Sequence, residues 1–330
     1  MSSSAFTFQP TGALIQEFNV GGQNIVLGFP TIEPYKDAPF FGETIGRVAN
    51  RIKNGRIENL NGKSYQLYQN DGKQSLHGGK SGWGKQKFSG PEPISKDGKE
   101  SVRFTYVSKD GEEGYPGTVK LQVDYTAFDE QEGNATKTVL ITEYEVELVG
   151  DEVEETVVNV TNHSYFNVTG TESISGTEAT LGTSKYQVVD DAAIPTGAIE
   201  DWPGVKANEP FELGPTEPDI DHCFVLNAED PSCPLDTRQS TLNKIVTLFS
   251  AKNRIHLEIF STEPAFQFYT GKFIDVPATK DTPARKARAG LCVEPSRWIN
   301  AINVPEWRDQ VLLKKGQKWG SRTVYKAWKD

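Results

Sequence analysis

Five short stretches carry polar residues that packing alone does not explain. The richest runs from Val157 to Val168, Val-Val-Asn-Val-Thr-Asn-His-Ser-Tyr-Phe-Asn-Val. Its β-branched and aromatic content reads as a strand, and strand side chains alternate between two faces. Val158, Val160, Asn162, Ser164 and Phe166 then share one face, and Asn159, Thr161, His163 and Tyr165 the other. A face of Asn, Thr, His and Tyr on a hydrophobic strand reads as the floor of a polar pocket, with His163 as its working residue. In Gly46-Arg-Val-Ala-Asn-Arg-Ile-Lys-Asn-Gly55, Asn50 and Arg51 would present an amide beside a guanidinium fork. Ser75-Leu-His-Gly-Gly79 sets two glycines after His77, which lets backbone approach a ligand closely. Pro218–Leu226 puts Asp221 and His222 at the mouth of an apolar strand. Glu294 ends the hydrophobic run Gly290-Leu-Cys-Val-Glu just before Pro295, and a carboxylate buried there needs a partner. Taken singly, each has a plain structural reading as a hydrogen-bonded core histidine, a charged connector, a turn or a loop-ending aspartate.

These residues must be positioned by strands. Gly12–Leu27 reads as a hairpin about Gly21-Gly22, and Arg56–Leu67 as another about Asn61-Gly62, whose residue types suit positive φ. Further strands are expected at Val102–Val107, Thr118–Thr126 and Thr138–Val149. In the last of these Tyr144, Val146 and Leu148 oppose Glu143, Glu145 and Glu147 as a buried and a solvated face. Later candidates are Thr180–Val189, Ile245–Phe249, Arg254–Phe260, Ala265–Tyr269, Gly290–Glu294 and Arg322–Ala327. Helical periodicity is missing. Many short strands at close spacing predict an all-β sandwich or barrel. With no repeat and no composition break, residues 1–330 are expected to form a single domain. Asp190–Asp219, with its five prolines, reads as a long irregular loop, and Val276–Ala289, with Lys280, Arg285, Lys286 and Arg288, as a solvated surface loop.

The totals narrow the partners. A formal net charge of −10 disfavours nucleic acid and anionic membranes. The opening Met-Ser-Ser-Ser-Ala-Phe-Thr-Phe lacks the basic and apolar regions of a secretion signal, and no run approaches the roughly 18 apolar residues of a membrane span. Cys223, Cys233 and Cys292 have neither metal nor redox spacing, so reduced thiols in the cytoplasm are the simplest expectation. His77, His163, His222 and His256 look scattered, and no metal site is expected from them.

Together, Asn50-Arg51, Ser75-Leu-His-Gly-Gly79, Thr161-Asn-His-Ser-Tyr-Phe-Asn167, Asp221-His-Cys-Phe224, Gln267-Phe-Tyr-Thr-Gly271 and Cys292-Val-Glu294 resemble the aldose 1-epimerases, the galactose mutarotases. They occur in the family's order, and Leu312-Leu-Lys-Lys-Gly-Gln and Thr323-Val-Tyr extend the resemblance to nearly the whole chain. It implies a large antiparallel β-sandwich of the galactose mutarotase-like supersandwich type, with very little helix and a sugar site on the concave face. It implies Glu294 as general base and His163 as general acid, with Asn50, Arg51, His77, Tyr165, Asp221 and Gln267 lining the sugar. It implies a small-molecule aldose as partner and no cofactor; a monomer is expected, with a dimer as the alternative. Pro295-Ser-Arg-Trp-Ile-Asn-Ala301 departs from the stretch common in bacterial members and is similar to the fungal branch.

Interconverting α and β anomers needs a base at the anomeric hydroxyl and an acid at the ring oxygen. A carboxylate and an imidazolium, with ordinary pKa values of about 4.3 and 6.5, suit these roles. Negative Glu294 and Asp221 nearby are expected to keep His163 protonated near neutrality. Two rivals share the scaffold: an epimerase of hexose 6-phosphates, for which Arg47, Lys85 and Lys87 would supply the positive charge, and a non-catalytic sugar-binding protein or sensor. A glycoside hydrolase would need two flanking carboxylates, and only Glu294 has a motif around it.

Overall fold

Two segments, Val119–Glu132 and Ala135–Leu148, show how the sequence builds its larger sheet. Val119, Leu121 and Val123 lie directly opposite Leu148, Val146 and Tyr144 in an antiparallel ladder, and all six are buried. Apolar positions two apart therefore meet across the pair and turn the same face to the core. The computed structural model describes residues 5–330; Met1–Ser4, part of the segment read for a secretion signal, lies outside the described residues.

Nine antiparallel strands form this sheet, in the spatial order Pro210–Leu213, Thr177–Leu181, Asn243–Ser250, Ile255–Ser261, Lys318–Lys329, Ala135–Leu148, Val119–Glu132, Lys99–Ser108 and Ser89–Lys96. A second sheet of six runs Tyr165–Phe166, Leu291–Ser296, Ala265–Tyr269, Asp221–Val225, Lys185–Val189 and Pro195–Asp201. Alternation divides the second sheet cleanly. Phe224, Phe266, Phe268, Leu291 and Val293 join the core shared with the larger sheet, each contributing about 1.5–3 kcal/mol when fully buried. Cys223, Gln267, Tyr269, Cys292 and Glu294 necessarily point the other way. Among the described residues helix is confined to 3-10 turns of three or four residues, and none is long and apolar enough to cross a membrane.

Several expectations need correction. The stretch Val157–Val168 is not one strand but three, Glu155–Val157, Thr161–His163 and Tyr165–Phe166, each paired with a different partner. Asn162 causes the last break: its Oδ1 accepts from the backbone N–H of Ser164 at 2.9 Å and from its hydroxyl at 2.5 Å, bending the chain onto a new partner. Asn159 faces away from any pocket, its Oδ1 accepting from the backbone of Arg297. Thr180–Val189 likewise divides, at Gly182–Ser184, into strands of the two different sheets. Asp190–Asp219 is not all loop, because Pro195–Asp201 and Pro210–Leu213 are edge strands. Each starts on its proline, a position where the missing N–H costs no ladder bond. Both hairpins form as expected, with Asn61 and Gly62 at φ 49° and 73°.

Candidate active site

One row of the six-stranded sheet sets the floor of a deep cavity. Asp221 lies opposite Tyr269, Tyr269 opposite Cys292, and Cys292 opposite Tyr165; in the adjacent row Gln267 faces Glu294. Gln267 Nε2 donates to Asp221 Oδ1 at 2.7 Å, while its own buried Oε1 has no partner. An unpaired amide oxygen at the cavity wall is ready to accept from a hydroxyl of a ligand.

The opposite wall comes from a small ladder in which Arg51 and Ile52 pair with Leu76 and Ser75. His77 donates its backbone N–H to the Asn50 carbonyl at 2.9 Å, and the Asn50 N–H donates to His77 Nδ1 at 3.3 Å. This reciprocal clasp fixes two residues that both stand at positive φ, 57° for Asn50 and 51° for His77. Arg51 is held by Asp71, Nε to Oδ2 2.7 Å. Gly78 lets two backbone segments pack closely, since a Cβ on it would lie 1.9 Å from the Gly46 carbonyl oxygen.

The cavity encloses about 170 Å³, and all eight residues singled out from the sequence line it: Asn50, Arg51, His77, His163, Tyr165, Asp221, Gln267 and Glu294. Its mouth, at Arg51, Asp221 and Phe273, opens into a wider cleft of about 500 Å³. His163 Nε2 lies 3.4 Å from Glu294 Oε1, with both side chains about 5% exposed. Desolvation dominates this pair. It pulls the His163 imidazole down to about 3, helped by Lys85. It pushes the Glu294 carboxyl well above the carboxylate range, and Asp221 adds repulsion that Arg51 only partly offsets. The expectation of a charged imidazole near neutrality is therefore corrected: burial outweighs the neighbouring carboxylates. At 3.4 Å the two groups are close enough to exchange a proton, and both shifts favour the carboxylic acid and the neutral imidazole.

His77 also stays neutral, lowered well below its ordinary value by burial and by His163. The histidines that look scattered in the sequence are thus partly gathered: the ligating atoms of His77, His163 and Glu294 lie within 4.8 Å of one another. Tetrahedral zinc, with bonds of about 2.0–2.1 Å, holds its ligands roughly 3.4 Å apart. With Nδ1 of His77 accepting from Asn50, the proton of the neutral ring sits on Nε2. That nitrogen is a donor, which suits a hydroxylated ligand better than a cation.

Other residues lie where sequence reasoning did not put them. Arg47 is buried, donating to the carbonyls of Pro116 and Gly117 at 2.8 and 2.9 Å, and Lys85 Nζ binds the Tyr35 and Ala38 carbonyls and Glu43. Both cationic groups are thus committed to acceptors within the protein. In the Val276–Ala289 loop, Arg285 donates to the Gly28 carbonyl over the Phe29 ring and Arg288 donates to Gly214 and Pro218, so both are structural ties. His222 accepts from the Trp202 indole outside the cavity. Phe40, Tyr269 and Phe273 also line the cavity and were missed. Tyr269 was within reach, standing two residues from Gln267 on one strand. Phe40, whose ring centroid lies 4.6 Å from His77 and 5.3 Å from His163, gave no local signal.

A family model described as aldose 1-epimerase matches residues 2–326. The chain belongs to the aldose 1-epimerase family. Among family relatives, human galactose mutarotase is 36% identical over 309 residues, covering 92% of this chain and 83% of the human protein. The bifunctional protein gal10 of Schizosaccharomyces pombe is 37% identical over 322 residues, 96% of this chain. The chain spans only 43 to 44% of the length of the three fungal bifunctional proteins it matches. Among solved structures, the GalM/aldose epimerase homologue from C. elegans superimposes with a TM-score of 0.80 at 29% identity, covering 98% of this chain and 95% of that one. The fold of this chain is thus the galactose mutarotase-like antiparallel β-sandwich expected from the sequence.

Proposed function

We propose that this chain is an aldose 1-epimerase that interconverts the α and β anomers of galactose- and glucose-type aldohexoses. The observation that carries this reading is the 3.4 Å approach of His163 Nε2 to Glu294 Oε1 at the bottom of a sugar-sized, desolvated cavity. In the carboxylate–imidazolium form, Glu294 takes the proton of the anomeric hydroxyl while His163 gives its Nε2 proton to the ring oxygen. The C1–O5 bond breaks and the aldehyde forms. Glu294 is now the acid and His163 the neutral base. Rotation about C1–C2 and the reverse transfers close the other anomer and restore the pair. One proton shared by two groups is enough for the whole cycle, and burial strengthens each electrostatic contact within it. Arg51, Asp221, Gln267, Asn50, His77 and Tyr165 supply donors and acceptors for the remaining hydroxyls. Three unpaired cysteines suit a reduced compartment such as the cytoplasm.

The test is polarimetry of freshly dissolved α-galactose. Wild type should speed the optical change well above buffer. Glu294→Gln should lower kcat by ~10²–10⁴-fold while still binding sugar, because shape is kept and the base is lost. Turnover by Glu294→Gln equal to wild type would refute the assignment.

A further inference from the structure

We propose that Cys292 is a positioning residue for this reaction: its sulfur accepts a hydrogen bond from Nδ1–H of His163 and holds the ring in the tautomer whose Nε2 faces Glu294. The proposal rests on the acid–base reading above. Cys292 and Glu294 stand two residues apart on the strand Leu291–Ser296, so both side chains leave the same face. They address opposite nitrogens of a single imidazole, Sγ to Nδ1 at 3.4 Å and Oε1 to Nε2 at 3.4 Å. Both distances are fixed by one strand, which makes the pair a two-point holder for the ring.

The sulfur is suited to accept. Cys292 is fully buried, and with Glu294 and Asp221 close by its thiol stays protonated, far from the thiolate that would compete for the catalytic proton. The Tyr165 side chain hydrogen-bonds the same sulfur, so two donors converge on one weak acceptor. Which nitrogen of a neutral histidine keeps the proton is set by the partner of the other.

The cycle needs that choice. Once Nε2 has protonated the ring oxygen, the imidazole is neutral and its remaining proton must sit on Nδ1, leaving a lone pair on Nε2 to take the proton back. A ring protonated only on Nε2 cannot accept there. Without a partner at Nδ1 the population divides between tautomers, and activity falls in proportion to the competent fraction.

The experiment uses the full chain with ¹⁵N-labelled histidine. Only four histidines are present, and the His163 signals are those lost in His163→Asn. Near neutral pH, wild-type His163 should show a protonated Nδ1 and an unprotonated Nε2. Cys292→Ala should shift the signals toward Nε2–H, with kcat lowered about tenfold and KM within about twofold. Cys292→Ser, whose hydroxyl oxygen can accept, should regain most of both. An Nε2–H tautomer in wild type would overturn the proposal. So would Cys292→Ala with an unchanged tautomer, whatever its rate. If Cys292→Ala does not fold, as judged by near-ultraviolet circular dichroism, the wild-type spectrum and Cys292→Ser still decide. If wild type shows no mutarotation, the reaction assigned to the site fails, and the spectra report separately on the Cys292 contact.

Discussion

Replacing Glu294 by Gln should change how stability depends on pH as well as the reaction. In the folded protein the Glu294 carboxyl is raised well above its ordinary 4.5 and His163 is lowered to about 3; a carboxyl raised past neutrality would leave the pair holding one proton at pH 7. In the unfolded chain a glutamate has lost its proton by pH 6.5. A group raised on folding adds stability that is fully present below its unfolded pKa and is lost as pH rises toward its folded one. On that description folded wild type should bind one more proton than folded Glu294→Gln between pH 6.5 and 7.5, while the unfolded chains bind equally, because the histidine titrates alike in both. The difference of one proton is worth about 1.36 kcal/mol per pH unit. Wild type should therefore lose about 1.4 kcal/mol relative to Glu294→Gln over that unit. With a denaturant slope of roughly 3 kcal/mol per molar, this is a relative shift of ~0.5 M in the urea midpoint. Urea melts of both proteins at pH 6.5 and 7.5 measure it directly. Parallel pH dependences would show that the folded carboxyl is already ionised, and the one-proton description of the site would fall.

The acid side gives the opposite sign. His163 is lowered on folding, so its contribution is present above pH 6.5 and lost as pH falls toward about 3; wild type should lose about 2 kcal/mol relative to His163→Asn between pH 6.5 and 4.5, read from urea melts at those two pH values. Asp221→Ala removes a carboxylate that holds the Gln267 amide at 2.7 Å and faces the sugar, so affinity for galactose should weaken ~10–100-fold by titration calorimetry, the cost of about 1.5–3 kcal/mol for a charged hydrogen bond. Arg297, directly after the strand that carries Glu294, has no exposed side-chain surface; it pairs with Glu263 at 2.8 Å and donates to the carbonyls of Pro234, Leu235 and Gly320. Arg297→Met should destabilise by ~3–5 kcal/mol in urea unfolding, because it leaves the buried Glu263 carboxyl without its counter-charge and the Pro234 carbonyl without its donor.

The sequence by itself determined the strand alternation, and with it much of the site's inner face. A period of two puts Gln267 with Tyr269, and Cys292 with Glu294, wherever that sheet ends up, and Phe268 and Val293 between them must take the core. The tight hairpin at Asn61-Gly62 was equally local, since its φ angles depend on those two residues alone. The eight lining residues were legible as well, through the order of their motifs rather than through any one motif.

What the tertiary structure alone decided is distance and dryness. Nothing near His163 in the chain says that Asn162 bends the backbone there, so that the imidazole comes to lie between the Cys292 thiol and the Glu294 carboxyl. Nothing near Arg47 says that its guanidinium is buried against Pro116 and Gly117. The charge state of the pair was misjudged for the same reason. Attraction from Asp221 and Glu294 can be guessed from residue types, but desolvation depends also on Phe40 and Tyr269 closing around the cavity, and those contacts are made by segments remote in sequence. Alternation is a property of each strand; solvent exclusion is a property of all of them packed together.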